Sequence, residues 1–193
     1  MRLNWRGKLL LLFLVLITIL FFIPKLKEVT PFTESKIKQS VPMPTGLHPI
    51  VEERSSQLVQ KSADKGINVI ITDGFRSSKD QDRLYQQGRT ADGNIVTNAK
   101  GGESYHNFGL AIDFAIKTPS GDVIWDMQYD GNNNGRPDWN EVVAIAKTLG
   151  FKWGGDWKQF KDYPHLEMDF GLTIADLQQG ERPPESTMTA DAE

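Results

Sequence analysis

The 193-residue chain contains no cysteine. That excludes disulfide stapling, a cysteine nucleophile, a thiolate metal site and a lipidated cysteine anchor. Histidine is scarce too, with only His48, His106 and His165. No excess of one charge is present: the formal net charge is -3, which gives no pull toward nucleic acid. The acidity is local, since from Thr173 onward Asp176, Glu181, Glu185, Asp191 and Glu193 face a single base, Arg182. Long apolar stretches are absent except for one near the start.

That stretch is residues 9–23, preceded by Arg2, Arg6 and Lys8 and followed by Pro24, Lys25 and Lys27. Basic residues before an apolar run fit a signal peptide or a membrane anchor. At 15 residues the run is short for a span of roughly 20, a gap that snorkelling lysines can close. Pro-Lys-Leu-Lys-Glu after the run is a poor cleavage site. An uncleaved anchor over residues 1–24 is therefore favoured, with secretion after cleavage as the alternative. The early basic residues would keep the N-terminus inside. The expected location is the cell membrane, single-pass, with the rest of the chain outside the cytoplasm.

Residues 25–44, with Pro31, Pro42 and Pro44, read as a linker. A single domain is expected over residues 45–172. Its first helix starts at Pro49, uses Ile50, Leu58 and Val59 as an apolar face, and ends at Gly66. Residues 67–72 are rich in β-branched side chains and predict a buried strand. Further expectations are a helix over 78–87 stopped by Gly88, a loop over 88–105, and a strand over 110–116. A turn at 118–121 leads into a strand over 123–125, then a helix over 139–149 capped by Gly150, and a strand over 165–168. The fold class is α+β: a small, largely antiparallel sheet with helices packed on it, preceded by one N-terminal apolar helix. Residues 173–193 read as an acidic, disordered tail.

The most informative stretch runs from Ser104 to Asp113. Strand alternation puts Leu110, Ile112, Phe114 and Ile116 on one face and Ala111, Asp113 and Ala115 on the other. A carboxylate between two alanines has room in front of it. Gly109 permits a turn that brings His106 over the same face. Downstream, His165, Glu167 and Asp169 alternate with Leu166, Met168 and Phe170. Two imidazoles and a carboxylate form a three-ligand set for catalytic zinc, with the fourth position open to water. The competing reading is two ordinary histidines and a turn-capping aspartate.

Ser104-x-His106-x-x-Gly109-x-Ala111-x-Asp113, with Asp162-x-x-His165 far downstream, resembles the zinc peptidases of the VanX/VanY group. The likeness is strongest to the L-alanyl-D-glutamate peptidases, the CwlK-type cell-wall hydrolases and similar phage endolysins. It extends from about Pro42 to Met168. It includes Gly74-Phe-Arg76-Ser, the run from Gln81 through Tyr85 to Arg89-Thr, and Gly154-Gly-Asp-Trp157. The resemblance implies a Hedgehog/D,D-peptidase-like fold and His106, Asp113 and His165 as zinc ligands. It implies Asp162 as the catalytic acid/base and Arg76 as the group facing the scissile carbonyl. Those roles agree with what a carboxylate near a ligand histidine and a fixed guanidinium can do. Glu167 is the rival base, against its reading as an exposed strand glutamate. Ser104 either orients substrate or stabilises a turn. His48, before Pro49, reads as structural.

A second cation site is expected at residues 130–141. Asp130, Asn132, Asn134, Asp138 and Glu141 fall at side-chain positions of a calcium loop, with Gly135 at the sharp turn and the Arg136 carbonyl next. The competing reading is an Asn/Gly-rich turn before a helix.

Three functions fit these residues, and a fourth, a membrane-tethered calcium-binding scaffold with no chemistry, leaves the two histidines and Arg76 unexplained. The first is a zinc endopeptidase cutting the L-Ala–D-Glu bond of peptidoglycan stem peptides. The second is a D-Ala–D-Ala carboxypeptidase on the same scaffold, which the aspartate at position 162 disfavours. The third is a peptidoglycan-binding zinc module without catalysis, which the presence of Asp162 and Arg76 disfavours.

Overall fold

The computed structural model describes Trp5 and residues 41–184. The apolar helix expected over residues 1–24 lies outside the described residues, as do the end of the chain and most of the linker. Among the described residues no helix is long and apolar enough to cross a membrane.

The first helix, α1, spans Pro49–Ala63. His48 caps it: its Nδ1 accepts from the Ile50 amide at 3.4 Å, and proline fills the first turn, where a missing N–H is harmless. Strand β1 is Val69–Asp73, two residues later than the β-branched run predicts. Helix α2, Ser78–Gln86, is capped by the Ser77 hydroxyl. Strands β2 (Ala111–Lys117) and β3 (Val123–Ile124) form the expected hairpin. Helix α3 is Asp138–Thr148. Strand β5, His165–Glu167, stops before the alternation expected to run on to Phe170.

Two elements were not expected. Strand β4, Lys152–Trp153, pairs with β5. Helix α4, Ile174–Gln178, occupies the start of the stretch read as a disordered tail. A reciprocal cap between Thr173 and Asp176 starts α4, and Leu177, 1% exposed, anchors it in the core.

Among the described residues the strands of the sheet all pair antiparallel, in the order β1-β2-β5-β4, with β3 on β2. The second edge of β2 is shared, since β5 pairs with residues 111–113 and β3 with 116–117. Leu110, Ile112, Phe114 and Ile116 enter the core as alternation requires, joined by Leu58 of α1 and Trp139, Val142 and Ala146 of α3. The Phe114 and Trp139 rings lie 4.4 Å apart. Each such fully buried side chain contributes roughly 1.5–3 kcal/mol.

One turn places the site. A 3₁₀ turn, Tyr105–Phe108, ends at Gly109 with φ 68°. The Gly109 carbonyl accepts from the His48 amide at 2.9 Å, and a Cβ at Gly109 would lie 2.3 Å from the Gly46 carbonyl oxygen. Both the left-handed backbone and the close approach require glycine. Gly121 shares a positive φ, 96°, but has open space around it. Gly109→Ala should therefore destabilise the domain well beyond Gly121→Ala, for which only the backbone penalty of about 1 kcal/mol applies. Urea unfolding of the two variants measures the difference; equal losses would refute the close-packing argument.

Candidate metal centre and catalytic cleft

The strand register builds a row across the sheet. Asp73 of β1 sits opposite Asp113 of β2, and Asp113 sits opposite His165 of β5. Directly opposed residues share a face, so these three side chains stand side by side on the face away from the core. A register shift between Ile71 and Asp73 brings Asp73 into the row. His106 reaches the row from the Gly109 turn.

Three donor atoms converge there. His106 Nε2 is 3.2 Å from His165 Nδ1, and each is 3.4 Å from Asp113 Oδ1. A tetrahedral metal with bonds of roughly 2.0–2.1 Å has ligand–ligand edges of about 3.3–3.4 Å. The far side of each ring is occupied. His106 Nδ1 donates to the Gly74 carbonyl at 2.7 Å, and His165 Nε2 donates to Glu167 Oε2 at 3.0 Å. Those bonds turn the unprotonated nitrogens toward each other. Two lone pairs at 3.2 Å need a positive centre between them. Asp113 Oδ1 is buried without a well-formed hydrogen bond, and a cation there would satisfy it. The residues fit a bound metal.

Charge at the site follows. Burial works to raise the Asp113 carboxyl, but the two facing imidazoles win and hold it far below the usual carboxylate range. Burial works to lower His165, but Asp113 and Glu167 pull it up to about 9. Without metal, a proton takes the place of the cation.

Arg76 is fixed at the edge of the triad. Its Nε and Nη2 donate to Asp73, and its Nη1 donates to Gln81 Oε1 at 2.8 Å. Its Nη2 is 3.8 Å from Asp113 Oδ2. Its backbone is bound to the turn that carries His106: the Arg76 amide donates to the His106 carbonyl at 3.1 Å, and Asn107 Nδ2 donates to the Arg76 carbonyl at 2.9 Å. Gln81, fully buried, also donates to the Ala99 carbonyl at 2.8 Å. Asp73 and Gln81 hold the Arg76 guanidinium in place, a role that sequence reasoning gave to neither.

Asp162 lines the same cavity of about 870 Å³ as Arg76, Ser104 and the triad. Burial pushes its carboxyl above the ordinary value, and the Asp113 charge adds to this against the pull of His165. Ser104 Oγ accepts from the His106 amide at 3.3 Å in a reciprocal cap with Asn107, which supports its turn-stabilising reading. Glu167 is not an exposed strand glutamate. It is 7% exposed and bonded to His165, because the polar face of β5 forms the cleft floor rather than a solvated surface.

The 130–141 loop closes largely on itself. Asp130 accepts from the Asn134 and Gly135 amides at 3.1 and 2.8 Å. Asn134 Oδ1 accepts from the Arg136 amide at 2.9 Å, and Glu141 Oε2 accepts from the Asn132 and Asn134 side chains. Among the described residues, the His/Asp/Glu group close enough to share one ion is His106, Asp113 and His165; Asp130, Asp138 and Glu141 do not form such a group.

An antiparallel sheet carrying a His-Asp-His triangle beside a fixed arginine and a buried carboxylate defines a metal-dependent hydrolase. Comparison with known proteins narrows this. A peptidase M15 family profile, described as D-alanyl-D-alanine carboxypeptidase, matches residues 97–168. The chain is 67% identical over 130 residues to peptidoglycan L-alanyl-D-glutamate endopeptidase CwlK of Bacillus subtilis (strain 168), covering 67% of this chain and 78% of that protein. It is 32% identical over 114 residues to the L-alanyl-D-glutamate peptidase of Listeria phage A118, covering 59% of this chain but only 35% of that protein. The crystal structure of Serratia marcescens L-Ala D-Glu endopeptidase ChiX superposes with TM-score 0.45 at 21% identity, over 65% of this chain and 82% of that one. The chain belongs to the M15 metallopeptidases, in the CwlK-type family of peptidoglycan endopeptidases.

The His165 result predicts a proton count. With its proton affinity raised by Asp113 and Glu167, the metal-free imidazole is expected to hold a proton at pH 7.5, which a bound metal would displace. Metal uptake at pH 7.5 should release about one proton per ion, and affinity should weaken as pH falls. Calorimetry in buffers of different ionisation enthalpy reads this directly, and metal uptake without proton release would contradict it.

Proposed function

We propose that this protein hydrolyses the L-alanyl–D-glutamate bond of peptidoglycan stem peptides, with zinc held by His106, Asp113 and His165. The observation that carries the reading is the donor triangle of 3.2–3.4 Å edges beside Arg76 and Asp162. Two imidazole nitrogens and one carboxylate oxygen at tetrahedral spacing suit zinc, and the relative at 67% identity is named for this bond. When bound, the metal supplies Lewis acidity and lowers the pKa of water. Asp162 takes a proton from the attacking water, and its raised affinity for protons suits it to return that proton to the departing amine. The amide C–N bond breaks, leaving a carboxylate on alanine and an amine on D-glutamate. Arg76, aimed by Asp73 and Gln81, faces the negative charge that develops on the carbonyl oxygen. Glu167 holds the His165 ring and takes no part as base, since its oxygen is engaged by that ring. The same reading places the domain outside the cytoplasm, tethered through residues 1–24, where the basic-then-apolar pattern supports an anchor.

Digestion of purified muropeptides, followed by mass spectrometry, tests the function. The expected result is chelator-sensitive release of peptides with a new D-Glu N-terminus. Release of a terminal D-alanine instead would move the assignment to the carboxypeptidase, and no cleavage by metal-loaded protein would favour the binding module. Asp162→Asn should retain metal and lose about 10²–10⁴-fold in kcat/KM; an unchanged rate would remove Asp162 as the base.

A second cation reading rests on Asp138. The residue is 1% exposed, its Oδ2 accepts from the Gly131 amide at 3.0 Å, and its Oδ1 is buried without a partner. Calcium in the 130–141 loop would satisfy that oxygen. Asn132 donates to the Lys65 carbonyl at 3.1 Å, before β1, whereas the catalytic row begins at Asp73, the end of β1. The role is therefore to brace the loop, not to gate the cleft. Calcium should raise the melting temperature of the wild type and not of Glu141→Gln; equal shifts would discredit the loop as a calcium site.

A further inference from the structure

The cleft is acidic. Asp73, Glu103, Asp113, Asp162 and Glu167 all line it, and its only lysine or arginine side chains are Arg76 and Lys161. Arg76 donates to Asp73 and Gln81, and the proposed reaction assigns its remaining N–H groups to the scissile carbonyl oxygen. Among the described residues Lys161 pairs with no acid: its ammonium donates to the Gly155 carbonyl at 2.8 Å. An ammonium carries three N–H donors, so two remain for a ligand.

Lys161 is also held in place. The loop from Gly154 closes back on Asp162, whose amide donates to the Gly154 carbonyl at 3.3 Å. A Cβ at Gly154 would lie 2.4 Å from the Asp162 carbonyl oxygen, and one at Gly155 would lie 2.3 Å from the Trp153 ring. The two glycines let the loop pack tightly enough for the Gly155 carbonyl to anchor the ammonium while the next residue, Asp162, faces the same cleft.

That placement bears on the leaving group, given the proposed reaction on which this inference rests. Asp162 protonates the departing amine, so the residue carrying that amine sits beside Asp162 and its neighbour. A D-glutamate joined to the chain through its amine and one carboxyl keeps its other carboxyl free and anionic. Bringing that anion into a cleft with five acids is unfavourable unless a cation receives it. We infer that Lys161 binds the free carboxylate of the residue on the amine side of the scissile bond, and thereby makes the enzyme prefer an acidic residue there over its amidated counterpart.

The test uses two peptides that differ only at that group, L-Ala–D-Glu with a free carboxylate and the same peptide with a carboxamide, assayed on metal-loaded full-length protein. Wild type should prefer the carboxylate by about ten-fold or more in kcat/KM, the worth of one well-placed charge contact. Lys161→Met should bring the ratio near one, chiefly by raising KM for the carboxylate peptide, while the carboxamide peptide and metal content stay near wild type. Lys161→Arg should restore part of the preference. A ratio unchanged in Lys161→Met, or equal losses on both peptides, overturns the inference and leaves the proposed reaction standing. If wild-type protein cleaves neither peptide, the proposed reaction fails and the inference fails with it.

Discussion

Three electron-pair donors aimed at one point constitute the constraint around which the domain is arranged. His106 Nε2, His165 Nδ1 and Asp113 Oδ1 lie 3.2–3.4 Å apart, a spacing that is repulsive unless a cation or a proton joins them. Maintaining it requires support on every side. The Gly74 carbonyl fixes one ring and Glu167 the other. The register of three adjacent strands sets Asp113 against His165. The left-handed Gly109 returns the His106 turn to the sheet, against the Gly46–His48 segment. The apolar side of β2 is buried against α1 and α3, so the sheet is a rigid base. Sites built on sheet and core hold ligand geometry more tightly than sites on loops alone.

The same row controls the electrostatics. Two neighbouring carboxylates, Asp73 and Asp113, stand in line with His165 across the sheet, and Arg76 lies close to both acids. Arg76 therefore serves two ends, neutralising the row and presenting its remaining N–H groups to the cleft. Asp162 stands outside the row and makes no ion pair among the described residues, so burial outweighs the pull of His165, His106 and Arg76 on its proton affinity. Carboxylates in one cleft thus divide into one held ionised, Asp113, and one that can hold a proton, Asp162, the separation the proposed acid–base chemistry requires.

Much of this was legible in the sequence, for a physical reason in each case. Alternation in residues 110–116 separates Asp113 from the core face, and the structure keeps that separation. Gly109 marks the turn because a side chain there would clash. What escaped has its own reasons. Strand β4 has two residues, too few to show a period, and α4 has five, with Leu177 as its one fully buried side chain. Glu167 looked solvent-facing because a period of two gives sides and not burial; here the polar side is the floor of a cleft. Asp73 joins the row through a register shift, which local sequence does not announce. Gln81 looks like an ordinary helix residue until its partners, Arg76 and the Ala99 carbonyl, are seen.

The endopeptidase and carboxypeptidase readings of this cleft have one chemical feature in common. A carboxypeptidase must recognise a terminal carboxylate on the carbon next to the departing amine. A D-glutamate that continues its chain through the side-chain carboxyl offers the same three groups: amine, D-configured carbon and free carboxylate. An ammonium near the leaving amine would serve both substrates, so the role inferred for Lys161 does not separate them. Discrimination has to come from what lies beyond that carbon, where a terminal D-alanine ends in a methyl and a D-glutamate continues. In this cleft the exposed Ile95, Val96 and Phe160 line the cavity as apolar lips, at 57%, 55% and 55% exposure. A cleft that stays open at such lips leaves a continuing chain a way out, which an endopeptidase needs and a carboxypeptidase does not.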